Sequence, residues 1–513
     1  MDSKRIYPLS VCHYGNTIIY VSLAIYFFFI PFVLVILCLD DPGLKGPGMP
    51  NVSFSLHKRL SPRFEKWAKR RVKSGSAEEL STKQIAATEW PLFSSVFYLW
   101  ATESLQEAWE QDKSHCPVEP KAYACGAIES AAALVADPGH ANWVREHWGD
   151  DYLEKENLFY RMLLIGGLTS YQKLSGDTRY EALLRSQVES LANELDQSPY
   201  GLLDDYPGQC YPVDILPAIA AIRRADAVLG TNHAEFAARA IRGFQGTRLD
   251  EDTGLPAYFV DSKTGCAKDA ARGVGLSFML IWAPELWPEM ARDWYVKYEE
   301  QFWQQGRWMA GFREYSKDID VGWFVFNDVD AGPIVGGYGV AASAFGIGAA
   351  RAMGRFEHAY ILAGQAIAGS WLLPNRILLV PRVLSNLSDA PYLGEAALLF
   401  ALTRMPVGDA HITGPGKLPL FVYIVPCLYL GLGIFLLAAA MFSHKRRRKQ
   451  ILRMRYPLER TQLIIWMCLV IMGMSISIGY RLDIGLLLIL SAQLLPRGFV
   501  RKILEEKVTV ASR

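Results

Sequence analysis

The stretch Val340-Ala-Ala-Ser-Ala-Phe-Gly-Ile-Gly-Ala-Ala350 decides the fold class. Alanine and glycine dominate it, no charge or proline interrupts it, and small residues let two backbones approach closely. A helix without a polar face is typical of a buried position. The stretch therefore predicts a helix surrounded by other helices.

Helical patterns continue on both sides of this stretch. From Glu89 onward apolar residues recur at helical spacing, short turns with Gly, Pro or Asp separate the segments, and long β-type alternation is scarce. The predicted helices span 92–109, 123–136, 154–174, 178–195, 215–229, 234–244, 271–281, 287–304, 340–353, 356–368 and 392–405. Paired helices joined by short turns predict an all-α fold, a six-hairpin (α/α) barrel flanked by transmembrane helices.

Two uncharged apolar segments, 17–39 and 418–442, are long enough to cross about 30 Å of hydrocarbon. The first is interpreted as an uncleaved anchor, because Leu39-Asp-Asp-Pro42 follows it instead of the small residues of a cleavage site. Residues 461–480 form a further candidate span. Residues 484–496 are short, and so either cross the membrane or lie in its interface.

The basic run His444-Lys-Arg-Arg-Arg-Lys449 predicts a cytoplasmic loop over 443–460, with 1–16 and 497–513 on the same side. The domain over 84–416, and the linker with a first helix over 40–83, are then extracytoplasmic. This pattern indicates a multi-pass protein of the inner or plasma membrane. A lipid bilayer is the predicted partner, and nucleic acid is not, because the basic run adjoins a span.

Four cysteines lie in the predicted domain, at Cys116, Cys125, Cys210 and Cys266. They show neither CxxC nor Cys/His metal spacing. In an oxidising compartment Cys116 with Cys125 is the more plausible disulfide, which would leave the other two free.

Residues 202–214, Leu-Leu-Asp-Asp-Tyr-Pro-Gly-Gln-Cys-Tyr-Pro-Val-Asp, form the first candidate site. Two prolines and a glycine prevent regular helix, and the loop runs straight into the apolar helix pattern that follows. Carboxylates, a thiol and phenols thus gather where a helix begins, which favours negative charge. The alternative is a capped turn, with Asp214 as N-cap and Cys210 as a small buried hydrophobe.

Two further polar clusters lie at helix approaches. In 151–160, Glu156 and Tyr160 share one helix face, although acidic residues there also suit the helix dipole. In 311–333, Arg313 beside Glu314 fits either a surface ion pair or a site. The acidic spacing does not match a calcium loop, so no metal is predicted.

Alternate helices of such a barrel open on one rim, so the three clusters can form one pocket. The candidate acid–base residues are Glu314, Cys210, Asp204, Asp205 and Asp214. The candidate substrate-binding residues are Glu156, Tyr160, Tyr211, Tyr258, Asp330 and Trp323. In such a pocket burial raises the pKa of one carboxyl while another stays ionised, which suits acid–base chemistry. No catalytic triad, phosphate loop, dinucleotide fingerprint or zinc motif occurs, so no cofactor is predicted.

The segments Glu154-Lys-Glu-Asn-Leu-Phe-Tyr160 and Gly176-Asp-Thr-Arg-Tyr-Glu-Ala182 resemble the E-K-E-N-x-x-Y and G-x-x-R-Y-E-A segments of the linalool dehydratase/isomerase family. The resemblance covers about 90–405 and includes Gln209-Cys210 and Arg313-Glu314. It implies a six-hairpin barrel that hydrates, dehydrates and isomerises an alcohol without a cofactor. It places Cys210 at the second of the family's two active-site cysteines and Glu314 at the glutamate of its R-E pair.

Two family residues have no counterpart in this chain. Asp204 or Asp205 stands near the position of the first cysteine, and Leu163 and Leu164 occupy the helix stretch of the active-site histidine. The resemblance therefore implies an alcohol other than linalool and a chemistry that depends on carboxylates.

Two other functions fit the same residues. Asp204 or Asp214 with Glu314 or Asp330 would suit a glycoside hydrolase or transglycosylase acting on a cell-surface glycan. A membrane-tethered binding module without catalysis is the third, and it predicts that the acids pair with arginines. The candidate arginines are Arg272, Arg307 and Arg313. An oligomer is compatible with each function.

Overall fold

The computed structural model describes residues 19–80, 84–326, 330–388, 390–451 and 468–474, with Gly485, Leu488, Ile489 and Ala492. Most of these residues are helical, which confirms the predicted helical class. The chain forms two compact units. The larger comprises 32–372 and 376–427, and the smaller comprises 1–31, 373–375 and 428–513.

Fourteen α-helices of eight residues or more lie in the described part of the chain. They are α1 (Ile30–Leu39), α2 (Asn51–Ser74), α3 (Trp90–Gln111), α4 (Cys125–Val135), α5 (Leu158–Ser175), α6 (Glu181–Gln197), α7 (Pro212–Leu229), α8 (Gly273–Leu286), α9 (Pro288–Phe302), α10 (Val340–Ala352), α11 (Phe356–Gly369), α12 (Leu379–Leu387), α13 (Leu393–Leu402) and α14 (Leu420–Ile451). Shorter α-helical turns are Pro42–Lys45, Ile85–Thr88, Pro120–Tyr123, Asn142–Trp148 and Ala234–Ala240.

Six apolar helices of the larger unit pack in a fixed order. Helix α3 packs on α5, α5 on α7, α7 on α8, α8 on α10, α10 on α13, and α13 packs on α3 again. Small residues allow these approaches: a methyl group on Gly166 would lie 2.6 Å from Cζ2 of Trp100, and one on Gly348 would lie 3.0 Å from Cδ1 of Ile281. The predicted inner helix, α10, is a member of this set.

A second set of helices covers the first. Helix α6 packs on α5, α9 on α8, α11 on α10 and α12 on α13, while α4 contacts both α3 and α5. These outer helices are amphipathic where they face solvent: in α9, Trp294, Tyr295 and Tyr298 are buried while Asp293 and Val296 are exposed. The burial pattern follows helical spacing.

Five short strands lie between α9 and α10, where the sequence analysis predicted none. Strands β1 (Trp303–Gln305) and β2 (Ala310–Phe312) pair antiparallel, with Trp303 opposite Phe312. Strands β3 (Phe324–Phe326), β4 (Pro333–Val335) and β5 (Tyr338–Gly339) form a second antiparallel sheet. Strands of two or three residues leave too little alternation to be recognised in the sequence.

Two described helices are long and apolar enough to cross a membrane, Ile19–Leu39 and Leu420–Phe442. They coincide with the first two predicted spans. The second helix continues to Ile451, so the described first part of the predicted basic loop is helical. In the third predicted span only 468–474 is described, and it is helical. Most of 484–496, and all of 1–16, 452–460 and 497–513, lie outside the described residues.

Several local predictions need correction. The helix predicted from residue 154 begins at Leu158, because Asn157 takes a left-handed backbone with φ of 34°. Helix α12 was not predicted, since two prolines flank or enter it. Cys116 and Cys125 are free thiols, the first buried and the second exposed, so the structure does not contain the disulfide considered for them.

Candidate functional site

The loop before α7 folds as a tight turn that brings its acidic residues together. The amide of Gln209 donates to the carbonyl of Tyr206 at 2.7 Å, and the amide of Asp205 donates to the carbonyl of Gln209 at 2.8 Å. Gly208 has a φ of 78°, which glycine adopts without strain. Pro212 then occupies the first turn of α7, where its missing amide hydrogen costs nothing.

Asp204 and Asp205 each have one satisfied and one unsatisfied carboxylate oxygen. Oδ2 of Asp204 accepts from the Gly208 amide at 2.7 Å, and Oδ2 of Asp205 accepts from the Tyr211 amide at 2.7 Å. Both side chains are buried, with 6% and 1% exposure. Neither Oδ1 has a hydrogen-bond partner among the described residues. Buried polar atoms are rarely left unpaired, so these two oxygens are candidates to bind a polar group.

The pKa values of Asp205 and Asp214 are both raised, and the charge of Asp214 contributes to the shift of Asp205. Burial, then the charges of Asp214 and Asp204, hold the pKa of Asp205 well above its usual range. Burial, then the charges of Asp330 and Glu89, do the same for the pKa of Asp214. Burial and neighbouring carboxylates thus both disfavour the ionised forms of these two groups.

Glu89 also belongs to this cluster, and the sequence analysis did not identify it. It directly precedes α3, and its Oε1 accepts a hydrogen bond from the hydroxyl of Tyr206. Burial raises the pKa of Glu89 to about 8, and the charge of Asp330 acts in the same direction. The only sequence signal was an acidic residue before Trp90-Pro91, which usually indicates a helix start.

Cys210 lies in the same cluster, fully buried. Burial, followed by the charges of Asp205 and Asp204, holds the pKa of its thiol well above the usual range. The carbonyl of Cys210 accepts from the Val260 amide at 3.0 Å, which fixes the loop to the segment before α8. Cys210 is thus a neutral thiol, and not the thiolate that a nucleophile requires.

Glu156 is joined to the loop by its side chain. Its Oε2 accepts from the Asp204 amide at 2.6 Å, and burial raises the pKa of Glu156. The fully buried Arg161 holds this segment by donating to the carbonyl oxygens of Lys155 at 2.8 Å and Glu156 at 3.4 Å. The structure therefore brings the candidates at 156 and 204 together.

Aromatic side chains connect the loop to the third predicted cluster. The rings of Tyr211 and Tyr258 meet edge to face at 5.6 Å, and the Tyr258 hydroxyl donates to Oδ2 of Asp330 at 3.3 Å. The guanidinium of Arg272 lies 4.1 Å from the centre of the Tyr258 ring. Burial and the charge of Asp205 raise the pKa of Tyr211 to about 12, so its hydroxyl stays protonated.

Glu314 lies beneath these rings in a buried ion pair. Its Oε1 accepts from Nε of Arg272 at 3.0 Å, its Oε2 accepts from the Val274 amide at 3.2 Å, and its side chain has no exposed surface. Gly339 leaves space for it, because a methyl group there would lie 3.0 Å from Oε2. In this geometry Glu314 orients Arg272.

Two predicted binding residues lie apart from the acids. Tyr160 is buried, and its ring packs against Trp143 and Tyr152. Trp323 is 78% exposed at the edge of the second sheet, where its ring lies against Gly336. No contact in the described structure joins either residue to Asp205.

One group of described side chains has the composition of a metal site, and it does not include the acidic loop. Glu299, Glu357 and His358 bring ligand atoms within 4.8 Å of one another. Arg355 already pairs with Glu357 at 2.5 Å and with Glu299 at 2.6 Å. An arginine in this position supplies the positive charge that a metal ion would bring.

Neither a protein-family model nor a curated protein matches this chain.

Proposed function

We propose that the larger unit is a six-hairpin α/α barrel of the linalool dehydratase/isomerase type. Support comes from the packing order, in which six apolar helices each contact the next and the last contacts the first. The covering helices alternate with them along most of the chain, as paired-helix toroids require. The candidate acids then gather around the N-terminal ends of α3, α5 and α7, through Glu89, Asp204 and Asp214.

We further propose that this domain is a cofactor-independent acid–base enzyme acting on a small alcohol. One carboxylic acid protonates the hydroxyl group, which departs as water when the C–O bond breaks. An ionised carboxylate removes a proton from a neighbouring carbon, and that C–H bonding pair becomes the new double bond. The reverse sequence hydrates the alkene, so atoms and charge balance in both directions.

The observation that carries this proposal is the pair of unpaired buried oxygens, Oδ1 of Asp204 and Oδ1 of Asp205. They lie beside Asp214, whose charge raises the pKa of Asp205. A carboxyl pair that holds one proton supplies an acid and a base in one place, as the reaction needs. Cys210, as a neutral thiol, and Tyr211, as a protonated phenol, add uncharged groups to this cluster.

The binding-module alternative is favoured by the ion pair of Glu314 with Arg272. That pair accounts for one predicted acid only. Among the described contacts, Asp205 and Asp214 form no ion pair, and a purely structural carboxylate at such burial usually has one. We therefore assign Glu314 to positioning Arg272 and the tyrosines, and assign proton transfer to the two aspartates.

The location that we propose is the extracytoplasmic face of a membrane, with multiple spans. Its support is the pair of apolar helices at either end of the larger unit and the basic run after the second one. Small alcohols of low polarity partition into lipid, so a membrane-anchored domain would meet its substrate there.

Product formation by the full-length chain in detergent tests the function. The chain is incubated separately with small tertiary alcohols and with oligosaccharides, and products are followed by mass spectrometry. We expect alkenes or isomerised alcohols from the first set, and their loss in Asp205→Asn but not in Asp293→Asn, an exposed aspartate on α9. Cleaved oligosaccharides would instead favour the glycosidase alternative.

A further inference from the structure

Helix α12 carries an apolar face that the described residues leave uncovered. Val380, Leu384 and Leu387 are 39%, 62% and 74% exposed, and their spacing of four and three residues places them on one side. The opposite side packs inward through Arg382, which pairs with Glu395 of α13. An exposed stripe of this kind is rare on a surface that only water contacts.

The domain-side ends of both candidate spans pack on α11, the helix that precedes α12. The hydroxyl of Tyr360 donates to the carbonyl of Leu39 at 2.9 Å. A methyl group on Gly364 would lie 3.2 Å from Leu39 and 3.0 Å from Leu418, and one on Gly369 would lie 3.5 Å from Phe421. The domain-side ends of both spans therefore lie beside α11.

Part of the chain between α11 and α12 belongs to the same compact unit as most of both spans. Residues 373–375 are part of the smaller compact unit, which contains most of both spans, and α12 begins only four residues after Asn375. The segment from Ser370 to Ser388 contains no Asp or Glu, and its charges are Arg376 and Arg382.

The segment that contains Arg307 and Trp308 also has the composition of a membrane interface. The carbonyl oxygens of Arg307 and Trp308 accept from the amides of Leu420 and Phe421, the first residues of α14. Trp308 is 60% exposed at this point. Tryptophan and arginine beside the end of a span are typical of the headgroup region.

We infer that α12 lies in the membrane surface, with Val380, Leu384 and Leu387 in the lipid interface. The inference rests on the proposed membrane position of the two spans, and it adds a third contact between domain and bilayer. An in-plane amphipathic helix binds lipid through such an apolar face. The alternative occupant, a second copy of the chain, is an outcome of the test below.

Spin-label accessibility in the full-length chain tests this inference. The chain is reconstituted into lipid nanodiscs with a nitroxide-bearing unnatural amino acid at one position, so that the native cysteines stay unchanged. Positions 384 and 387 test α12, position 296 on α9 is an exposed apolar control, and position 432 in α14 reports the span. Collision rates with oxygen, which concentrates in lipid, are compared with those of a water-soluble nickel chelate.

We expect the oxygen-to-nickel collision ratio at 384 and 387 to exceed that at 296 and to approach that at 432. If the ratio at both α12 positions equals that at 296 while 432 is in lipid, the inference is overturned. The proposal that the two helices span the membrane is then unaffected. An aqueous ratio at 432 overturns the membrane proposal itself. If both reagents collide slowly at 384 and dilution of the protein raises the collision rates, a second copy of the chain covers α12. This outcome also overturns the inference. Circular dichroism verifies the fold of each labelled chain.

Discussion

Asp205 and Asp214 are the residues on which the proposed chemistry depends, and their loop was recognisable in the sequence. Two prolines, a glycine and three acids before a helix indicate a polar turn. The sequence did not show which acids would pair with an arginine and which would lie close to other acids. That distinction depends on residues far apart in the chain, as with Glu314 and Arg272 or Asp214 and Glu89.

The raised pKa of Glu89 predicts a pH-dependent stability. Its usual value is 4.5 and the folded value is about 8, so the folded state resists ionisation. The free energy of unfolding therefore falls as pH rises from about 4.5 to 8, by up to about 1.4 kcal/mol per pH unit from this group. We expect Glu89→Gln to reduce that fall in urea unfolding at pH 5 and pH 8. Glu289→Gln, at an exposed position on α9, should reproduce the wild-type fall.

The ion pair predicts that Glu314→Gln destabilises the fold. It removes the Glu314 carboxylate from the Arg272 guanidinium, which is 5% exposed, and losing one member of a buried pair costs about 3–5 kcal/mol. Denaturant unfolding measures this cost. Because the cost comes from a buried charge that loses this carboxylate, the double variant Arg272→Met with Glu314→Leu should recover most of it. A Glu314→Gln variant as stable as the wild type would contradict the assignment of Glu314 as a structural partner of Arg272.

At the scale of elements, the helices were predictable and the strands were not. Long apolar periodicity marks α5, α7 and α10 clearly, whereas β1 to β5 have two or three residues each. Helix α12 was hidden by its prolines and by its short length. The approach of α3 to α5 was not predicted, since sequence spacing does not say which helices become neighbours.

Close contact between α3 and α5 predicts a penalty for Gly166→Ala. The added methyl group would lie 2.6 Å from the buried ring of Trp100, so ring or helix must shift. Overpacking of this kind costs about 1–3 kcal/mol. Thermal unfolding in detergent should show a lower midpoint for Gly166→Ala than for Gly414→Ala, where no atom lies within 4 Å. Equal midpoints would mean that the two helices do not pack this closely.

For the whole molecule, composition predicted the candidate spans and the basic run predicted their direction. The two described spans flank the larger unit, as the hydropathy indicated. The packing of the first span's end on α11 could not be predicted, because it depends on a contact between residues 321 positions apart, Leu39 and Tyr360.

The proposed orientation predicts labelling from outside the cell. Cys125 and Cys266 are exposed on the larger unit, so a membrane-impermeant maleimide should label both in intact cells once any outer barrier is opened. Mass spectrometry of the labelled peptides identifies the sites. The Cys125→Ser, Cys266→Ser double variant should lose this signal. Labelling that requires rupture of the inner membrane would place the domain in the cytoplasm.

The central claim is that Asp205 and Asp214 share one proton at neutral pH, and infrared spectroscopy tests it without knowledge of the substrate. Protonated and ionised carboxyl groups absorb at different frequencies. Spectra of the full-length wild type and of Asp205→Asn, Asp214→Asn and Asp293→Asn are compared at pH 7. The contribution of Glu89, obtained from the spectrum of Glu89→Gln, is subtracted from each. We predict a protonated-carboxyl band that either pair variant removes or shifts and Asp293→Asn leaves unchanged. A wild-type spectrum in which both aspartates are ionised would contradict the account.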